Sequence, residues 1–281
     1  MIRFLAPALL VSMALFSSPS FSFGVDGHLM VTSVAENHLS DKTAMAIKRI
    51  TDNGDLGSRS LWPDRIRHLP AWGQSKYWHY ISIDDRELFS DFLRHKDGDV
   101  VSALEHFYAQ LQNPQLSNRQ QLEALSFFMH FVADIHQPLH VGRRDDRGGN
   151  NIQVKWPSKP KNVNLNQVWD SLILATANKA SQQYAQMLDR ATAQEMAQWQ
   201  NSHFWEWARE SKALRAQVYN FSPETQKART IISRAYIQRN KPIIEQRILM
   251  AGIRLADCLN RIFDPQTQQL KFLLQRRDNL E

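Results

Sequence analysis

Residues 127–140 read Phe-Phe-Met-His-Phe-Val-Ala-Asp-Ile-His-Gln-Pro-Leu-His, and this stretch concentrates the most chemically capable side chains of the chain. His130 and Asp134 are four positions apart, so on a helix an imidazole and a carboxylate share one face, one turn apart. Such a pair can chelate one divalent cation. His136 and His140 follow on either side of Pro138, where a helix must end. These imidazoles and the carboxylate are flanked by Phe, Val and Leu, and burying them without partners is costly. A metal ion offsets that cost; the competing reading is a set of hydrogen-bonded core histidines.

Further candidates lie elsewhere in the chain. Trp62-Pro63-Asp64 sets a carboxylate beside an aromatic, and Trp78-His79-Tyr80 sets an imidazole between two aromatics. Leu165-Asn166-Gln167-Val168-Trp169-Asp170 repeats the four-residue spacing with an amide in the first place. Gly24-Val25-Asp26-Gly27-His28 supplies one more imidazole. Taken singly, each is ordinary: Asp64 also suits a helix N-cap, and His79 a surface loop. Together, mixed His and Asp donors favour zinc over magnesium, which prefers carboxylates and water. A thiolate zinc site is excluded by the single cysteine, Cys258, and a helical di-iron site by the lack of any Glu-x-x-His pair.

Helices must position these groups. Apolar periodicity predicts helices over Leu29–Leu39, Lys42–Thr51 (stopped by Asn53-Gly54), Asp99–Leu111 and Arg119–Ala133. Longer helical patterns cover Ser171–Asp189, Ala191–Tyr219 and Pro223–Phe263. Alternation of Ile152, Val154 and Trp156 after Gly148-Gly149 predicts a small β-hairpin. No linker, repeat or low-complexity block divides the 281 residues, so the fold class expected is mainly α, in a single domain.

Hydrophobic residues make up 43% of the chain, enough for a sizeable core, and the eight Trp and fourteen Phe are read first as its filling. The net charge of +6 is dispersed rather than blocked, which favours an anionic partner without forming a basic tail. Arg3, the apolar run Phe4–Phe16 and the small residues of Ser20-Phe21-Ser22 predict a signal peptide over residues 1–22, cleaved before Phe23. The run is shorter than the ~20 residues a membrane span requires, and no later segment is apolar enough to span. The exported domain, 23–281, has one cysteine and therefore no internal disulfide, so core packing and metal must hold it.

In this order, the motifs resemble the S1/P1 nuclease family and its relative, the zinc-dependent bacterial phospholipase C. The matching pieces are Gly27-His28, Trp62-x-Asp64, His79-Tyr80, the run from His130 to His140, Gly148-Gly149-Asn150 and Trp169-Asp170. They span Phe23 to Asp170, and the C-terminal half keeps family-like helices around Trp207–Ser211 and Gly252–Asn260.

The resemblance implies a single-domain helical fold of the phospholipase C/P1 nuclease type and three zinc ions in a cleft. One ion falls to Asp64, His79, His130 and Asp134. A second falls to His28, Asp134 as a bridging carboxylate, and the α-amine and carbonyl of Phe23, which makes signal cleavage part of building the site. The third falls to His140, Asn166 and Asp170, while His136 takes a supporting role. The implied activity is that of a secreted or periplasmic, monomeric endonuclease, free of the membrane once its signal is removed. It would hydrolyse single-stranded DNA and RNA to 5′-phosphate products through a metal-activated hydroxide between ions about 3.5–4 Å apart. Asp84 matches a family carboxylate after the His-Tyr pair that orients the attacking water, or is an ordinary loop residue.

Three positions depart from the pattern: Phe23 stands for Trp, Asn166 for His and Asn151 for Asp. Phe23 ligates through its backbone, so its side chain matters little to the metal. Asn166 is the weightier change, because an amide oxygen is a poorer zinc ligand than imidazole, and it predicts a weakened third site. Two other readings stand beside the nuclease: a phospholipase C on the same metals, and a metal-binding homologue of reduced activity. The His-Gln-Pro-Leu-His context and the Gly-Gly-Asn segment favour the nuclease.

Overall fold

The structure is a computed structural model and describes residues 23–90, 93–221, 225–226 and 229–266. The predicted signal peptide, 1–22, lies outside them. In chain order the helices are α1 (Gly24–Asn37), α2 (Asp41–Thr51), α3 (Leu56–Ser60), α4 (Trp62–Ile66), α5 (Val100–Leu111), α6 (Asn118–His136), α7 (Leu165–Gln167), α8 (Ile173–Ala175), α9 (Ser181–Leu188), α10 (Ala193–Gln200), α11 (Phe204–Val218) and α12 (Arg234–Phe263). Short strands are β1 (Ile81–Ser82), β2 (Val141–Gly142), β3 (Gln153–Lys155), β4 (Val163–Asn164), β5 (Thr225–Gln226) and β6 (Arg229–Ile231). The fold is mainly α, as the periodicity predicts.

Helix α6 is the central member. Ser117 and Gln120 close a capping box at its start, satisfying backbone donors that a helix N-terminus leaves over. Every residue from Ala124 to His136 is buried, because α5, α11 and α12 pack on it together with α1 to α4. A helix buried all round must be apolar all round apart from paired groups, and Phe127, Phe128 and Phe131 fill the space at about 1.5–3 kcal/mol each. The first and last helices among the described residues also meet: α1 lies along α12, and Gly252 leaves room for Val34, whose side chain would come within 2.5 Å of a Cβ placed there.

Several boundaries differ from expectation for local reasons. The first helix begins at Gly24 rather than Leu29. The pattern over Ser171–Asp189 is interrupted at residues 176–180, where Asn178 takes a positive φ of 49°. The Ala191–Tyr219 pattern divides at residues 201–203, since Glu206 folds back to accept from the His203 backbone nitrogen and starts α11 afresh. The Pro223–Phe263 pattern yields β5 and β6 first, and the helix starts only after Ser233 caps Tyr236. The expected hairpin exists as antiparallel β3 and β4, but β6 adds in parallel to β3 and β5 to β6, giving four strands ordered β4-β3-β6-β5. A second, two-stranded parallel pair, β1 and β2, went unread because two residues carry no alternation.

Candidate metal centre

Asp134, fully buried on the last turns of α6, is the hub. Its Oδ2 lies 3.1 Å from His79 Nδ1 and 3.2 Å from His130 Nε2. Its Oδ1 faces a different set: His140 Nδ1 at 3.2 Å, His28 Nε2 at 3.5 Å, and the backbone nitrogen of Phe23, which donates at 3.4 Å. Asp64 Oδ1 closes the first set, 3.8 Å from His79 Nδ1 and 3.9 Å from His130 Nε2, with Arg67 at 3.3 Å behind it. His79 Nδ1 and His130 Nε2 are 2.9 Å apart, and the His28 ring stacks on His130 at 3.9 Å.

Local chain geometry explains the convergence. α4 presents Asp64 within its first turn, and the 3-10 helix Pro70–Tyr77 delivers His79 at its exit. β1 then pairs with β2, Ile81 against Val141, so the segments that follow His79 and His140 are zipped together. At the N-terminus, Gly24 has φ +61°, and a Cβ there would lie 2.5 Å from the Asp170 carbonyl oxygen. Only glycine lets the chain pass that close, bringing Phe23 and His28 to the cluster.

The donor set fits a cation. A tetrahedral site with bonds of 2.0–2.1 Å has ligand-to-ligand edges of about 3.3 Å, and the separations here bracket that value. His130 Nδ1 donates to the Ser60 carbonyl at 2.7 Å, which fixes the tautomer and turns the Nε2 lone pair toward the cluster. His28 is 1% exposed, yet neither of its ring nitrogens makes a hydrogen bond among the described residues. Two trios, His28/Asp64/His130 and His79/His130/Asp134, have donor atoms close enough to hold a metal ion.

The electrostatics divide the groups. Burial pushes His28 well below its ordinary value, helped by the His130 imidazole, and burial lowers His79 as well. Burial opposes ionisation of Asp134, but His130 and His140 outweigh it and hold the carboxyl well below the usual range. His130 is raised by Asp134 and Asp64 against burial, and His140 is raised to about 10 by Asp134 and Asp170, also against burial. Neutral His28 and His79 and an ionised Asp134 are the protonation states a divalent ion requires, whereas His130 and His140 would each give up a proton on binding one.

The remaining candidates are placed as follows. Asp170 sits in a π-helical turn, Val168–Leu172, with Oδ1 3.5 Å from His140 Nε2 and accepting from Gln137 Nε2 at 2.5 Å. Gln137 thereby holds Asp170, a link the sequence does not reveal. Asn166 is buried on α7, and its amide nitrogen donates to the Gly148 carbonyl at 3.3 Å. His136 is committed elsewhere, to Val132 and Arg254. Asp84 lies beyond β1, where its carboxylate accepts from the Arg144 backbone nitrogen and Nη1 at 2.8 and 2.7 Å. Among the described residues no hydrogen bond or ion pair joins Asp84 to the cluster. It lines an open cavity of about 320 Å³ with Asp85, Arg143 and Asp145. Trp156, Trp169, Trp199 and Trp207 are buried, and Trp62, Trp72, Trp78 and Trp205 partly so. Tyr80, next to His79 in sequence, is an aromatic 40% exposed.

A helical body enclosing histidines and aspartates around one shared carboxylate suits a hydrolase that acts through bound metal. Comparison with known proteins gives the same class: a model of the S1/P1 Nuclease family matches residues 23–264. The chain belongs to the S1/P1 nuclease family and is a nuclease. Endonuclease 4 of Arabidopsis thaliana is 33% identical over 271 residues, covering 86% of this chain and 89% of the relative. Nuclease S1 of Aspergillus oryzae is 28% identical over 160 residues, 54% of each chain. Nuclease P1 of Penicillium citrinum is 29% identical over 160 residues, 53% of this chain and 57% of the relative.

Proposed function

We propose that the mature protein is an exported, monomeric, zinc-dependent endonuclease of single-stranded DNA and RNA that leaves 5′-phosphate products. The observation that carries this reading is the division of labour at Asp134, whose two oxygens face two different donor sets. Asp64, His79, His130 and Asp134 would hold one ion; Asp134, His28 and the Phe23 backbone would hold its neighbour. His140 and Asp170, with Asn166, would hold a third and weaker one.

When bound, zinc supplies Lewis acidity, lowering the pKa of water and neutralising phosphoryl charge. The residues do the rest. Asp134 fixes the two donor sets at one spacing. Ser60 orients His130, and Gln137 orients Asp170. Tyr80 offers an exposed ring beside His79 for stacking an unpaired base, which suits substrates whose bases are free. Asp84 as the group that orients the attacking water rests on the family resemblance alone.

Domain limits follow the same proposal: a signal over 1–22 and a catalytic domain over 23–281. No helix among the described residues is long and apolar enough to cross a membrane.

The test is hydrolysis of denatured DNA, RNA and phosphatidylcholine vesicles by protein beginning at Phe23, with and without chelator, beside Asp134→Ala. Chelator-sensitive cleavage of the nucleic acids, lost in Asp134→Ala, is expected. Cleavage of the lipid alone, or stable zinc binding without any hydrolysis, would overturn the reading in favour of a phospholipase or an inactive homologue.

A further inference from the structure

The C-terminal end of α6 bears Asp134 and leads directly into the turn that bears His140. Helix ends leave carbonyls without intrahelical partners, and this one is buried. α11 and α12 supply the donors. Ser211 Oγ donates to the Ile135 carbonyl at 2.5 Å, and Arg247 Nε donates to the His136 carbonyl at 3.0 Å. The same Arg247 donates through Nη1 to Glu210 at 2.6 Å and through Nη2 to Ser211 Oγ at 2.9 Å. Arg254 grips Glu210 with both terminal nitrogens at 2.7 Å, reaches the Trp199 carbonyl at 3.0 Å through Nε, and donates to His136 Nε2 at 2.9 Å. Because His136 Nδ1 donates to Val132, its Nε2 is the acceptor, and the ring is held as one neutral tautomer.

We infer that Arg247 and Arg254, joined by Glu210, form a positioning bracket that fixes the last turn of α6 and thereby sets the spacing of Asp134 and His140. The inference rests on the proposed metal-binding role of those two residues. Both arginines are almost wholly buried, 4% and 1% exposed at the side chain. As a purely stabilising device such a triad is inefficient, since well-packed apolar groups often do as well. As a geometric device it does what apolar packing cannot, because each guanidinium hydrogen bond has a fixed direction. Two guanidiniums against one carboxylate leave a positive excess, which the negative end of the α6 dipole offsets. Arg247 and Arg254 are therefore positioning residues that act through Ile135 and His136, without touching metal or substrate.

The experiment measures zinc affinity by chelator competition, with thermal melts of the zinc-loaded and zinc-free protein, on the chain beginning at Phe23. Arg247→Met is expected to weaken zinc binding about 10- to 100-fold, the range for groups that orient ligands, while helix content is kept. Arg247→Lys, with the charge but not the fork, should recover only part of the loss. Ile47→Ala, a core truncation on α2, serves as the control: it should lower the melting temperature and leave zinc affinity unchanged. Where Arg247→Met does not fold, Ser211→Ala removes one strut alone and should still weaken zinc several-fold. Unchanged zinc affinity in Arg247→Met, or in Ser211→Ala when that is the variant that folds, would overturn the bracket. Asp134→Ala separates the two levels: if it too keeps full zinc affinity, the metal reading itself fails.

Discussion

The backbone nitrogen of Phe23 lies 3.4 Å from Asp134 Oδ1, across 111 positions of sequence, and both residues are fully buried. In the proposed centre this places the start of the mature chain among the metal donors. A chain carrying one extra residue before Phe23 converts the amine to an amide, which is a poor donor. Such protein should hold at least one zinc fewer after dialysis against chelator than protein cut before Phe23, and should cleave single-stranded DNA far more slowly. Equal metal content in the two preparations would contradict the ligand set.

Asn166→His tests the proposed third site. The amide of Asn166 is engaged with the Gly148 carbonyl, and imidazole is the better zinc ligand. Elemental analysis should find one more tightly held zinc per chain in the variant than in the parent. Finding the parent already holding three ions against chelator would refute the idea of a weakened site.

Tyr80→Ala tests the proposed stacking role of that ring. Loss of one base–aromatic stack is worth ~1–3 kcal/mol, so kcat/KM on single-stranded DNA should fall about 5- to 150-fold. The fall should appear in KM, with zinc content and melting temperature held. A fall in metal content instead would assign Tyr80 to packing of the His79 loop.

Gly24→Ala tests the close passage past Asp170. The positive φ alone costs ~1–3 kcal/mol in a residue with a side chain, and the Cβ would meet the Asp170 carbonyl. Melting temperature and zinc affinity should fall together. An unchanged melt would show that the N-terminal segment does not take this path in solution.

Glu210 gives a pH prediction. Burial opposes its ionisation, but Arg254 and Arg247 outweigh burial and hold the carboxyl below the usual range. A group depressed in the folded state contributes stability that is present above its unfolded pKa, about 4.3, and is lost as pH falls through the folded value. In chelator-treated protein, stability should therefore decline below about pH 4.3, and Glu210→Gln should flatten that limb. Parallel acid limbs in the two proteins would exclude Glu210 as a contributor.

How much of this was legible in the sequence depends on the range of the interaction. His130 and Asp134 could be read because a helix converts four-residue spacing into proximity. Asp64, His79 and His28 could be matched to the family pattern, but their convergence on Asp134 is set by packing between distant segments. Glu210, Arg247 and Arg254 look in sequence like solvated charges on amphipathic helices, and the burial of the two arginines emerges only when α11 and α12 close on α6. The strands β5 and β6 were hidden inside an apparently helical pattern, and β1 and β2 are too short to show alternation. Asp84 illustrates the limit of analogy: its visible partner is Arg144, which no local spacing announces.

The seating of Val34 from α1 against Gly252 of α12 has a consequence for biosynthesis. Among the described residues the first and last helices are each other's neighbours, and the arginines proposed to brace the end of α6 sit on the last one. A nascent chain halted before α12 would carry all the proposed ligands yet lack both the surface on which α1 settles and the brace. Premature termination would thus yield no half-competent enzyme, and the proposed capture of metal would wait until α12 has been made and packed.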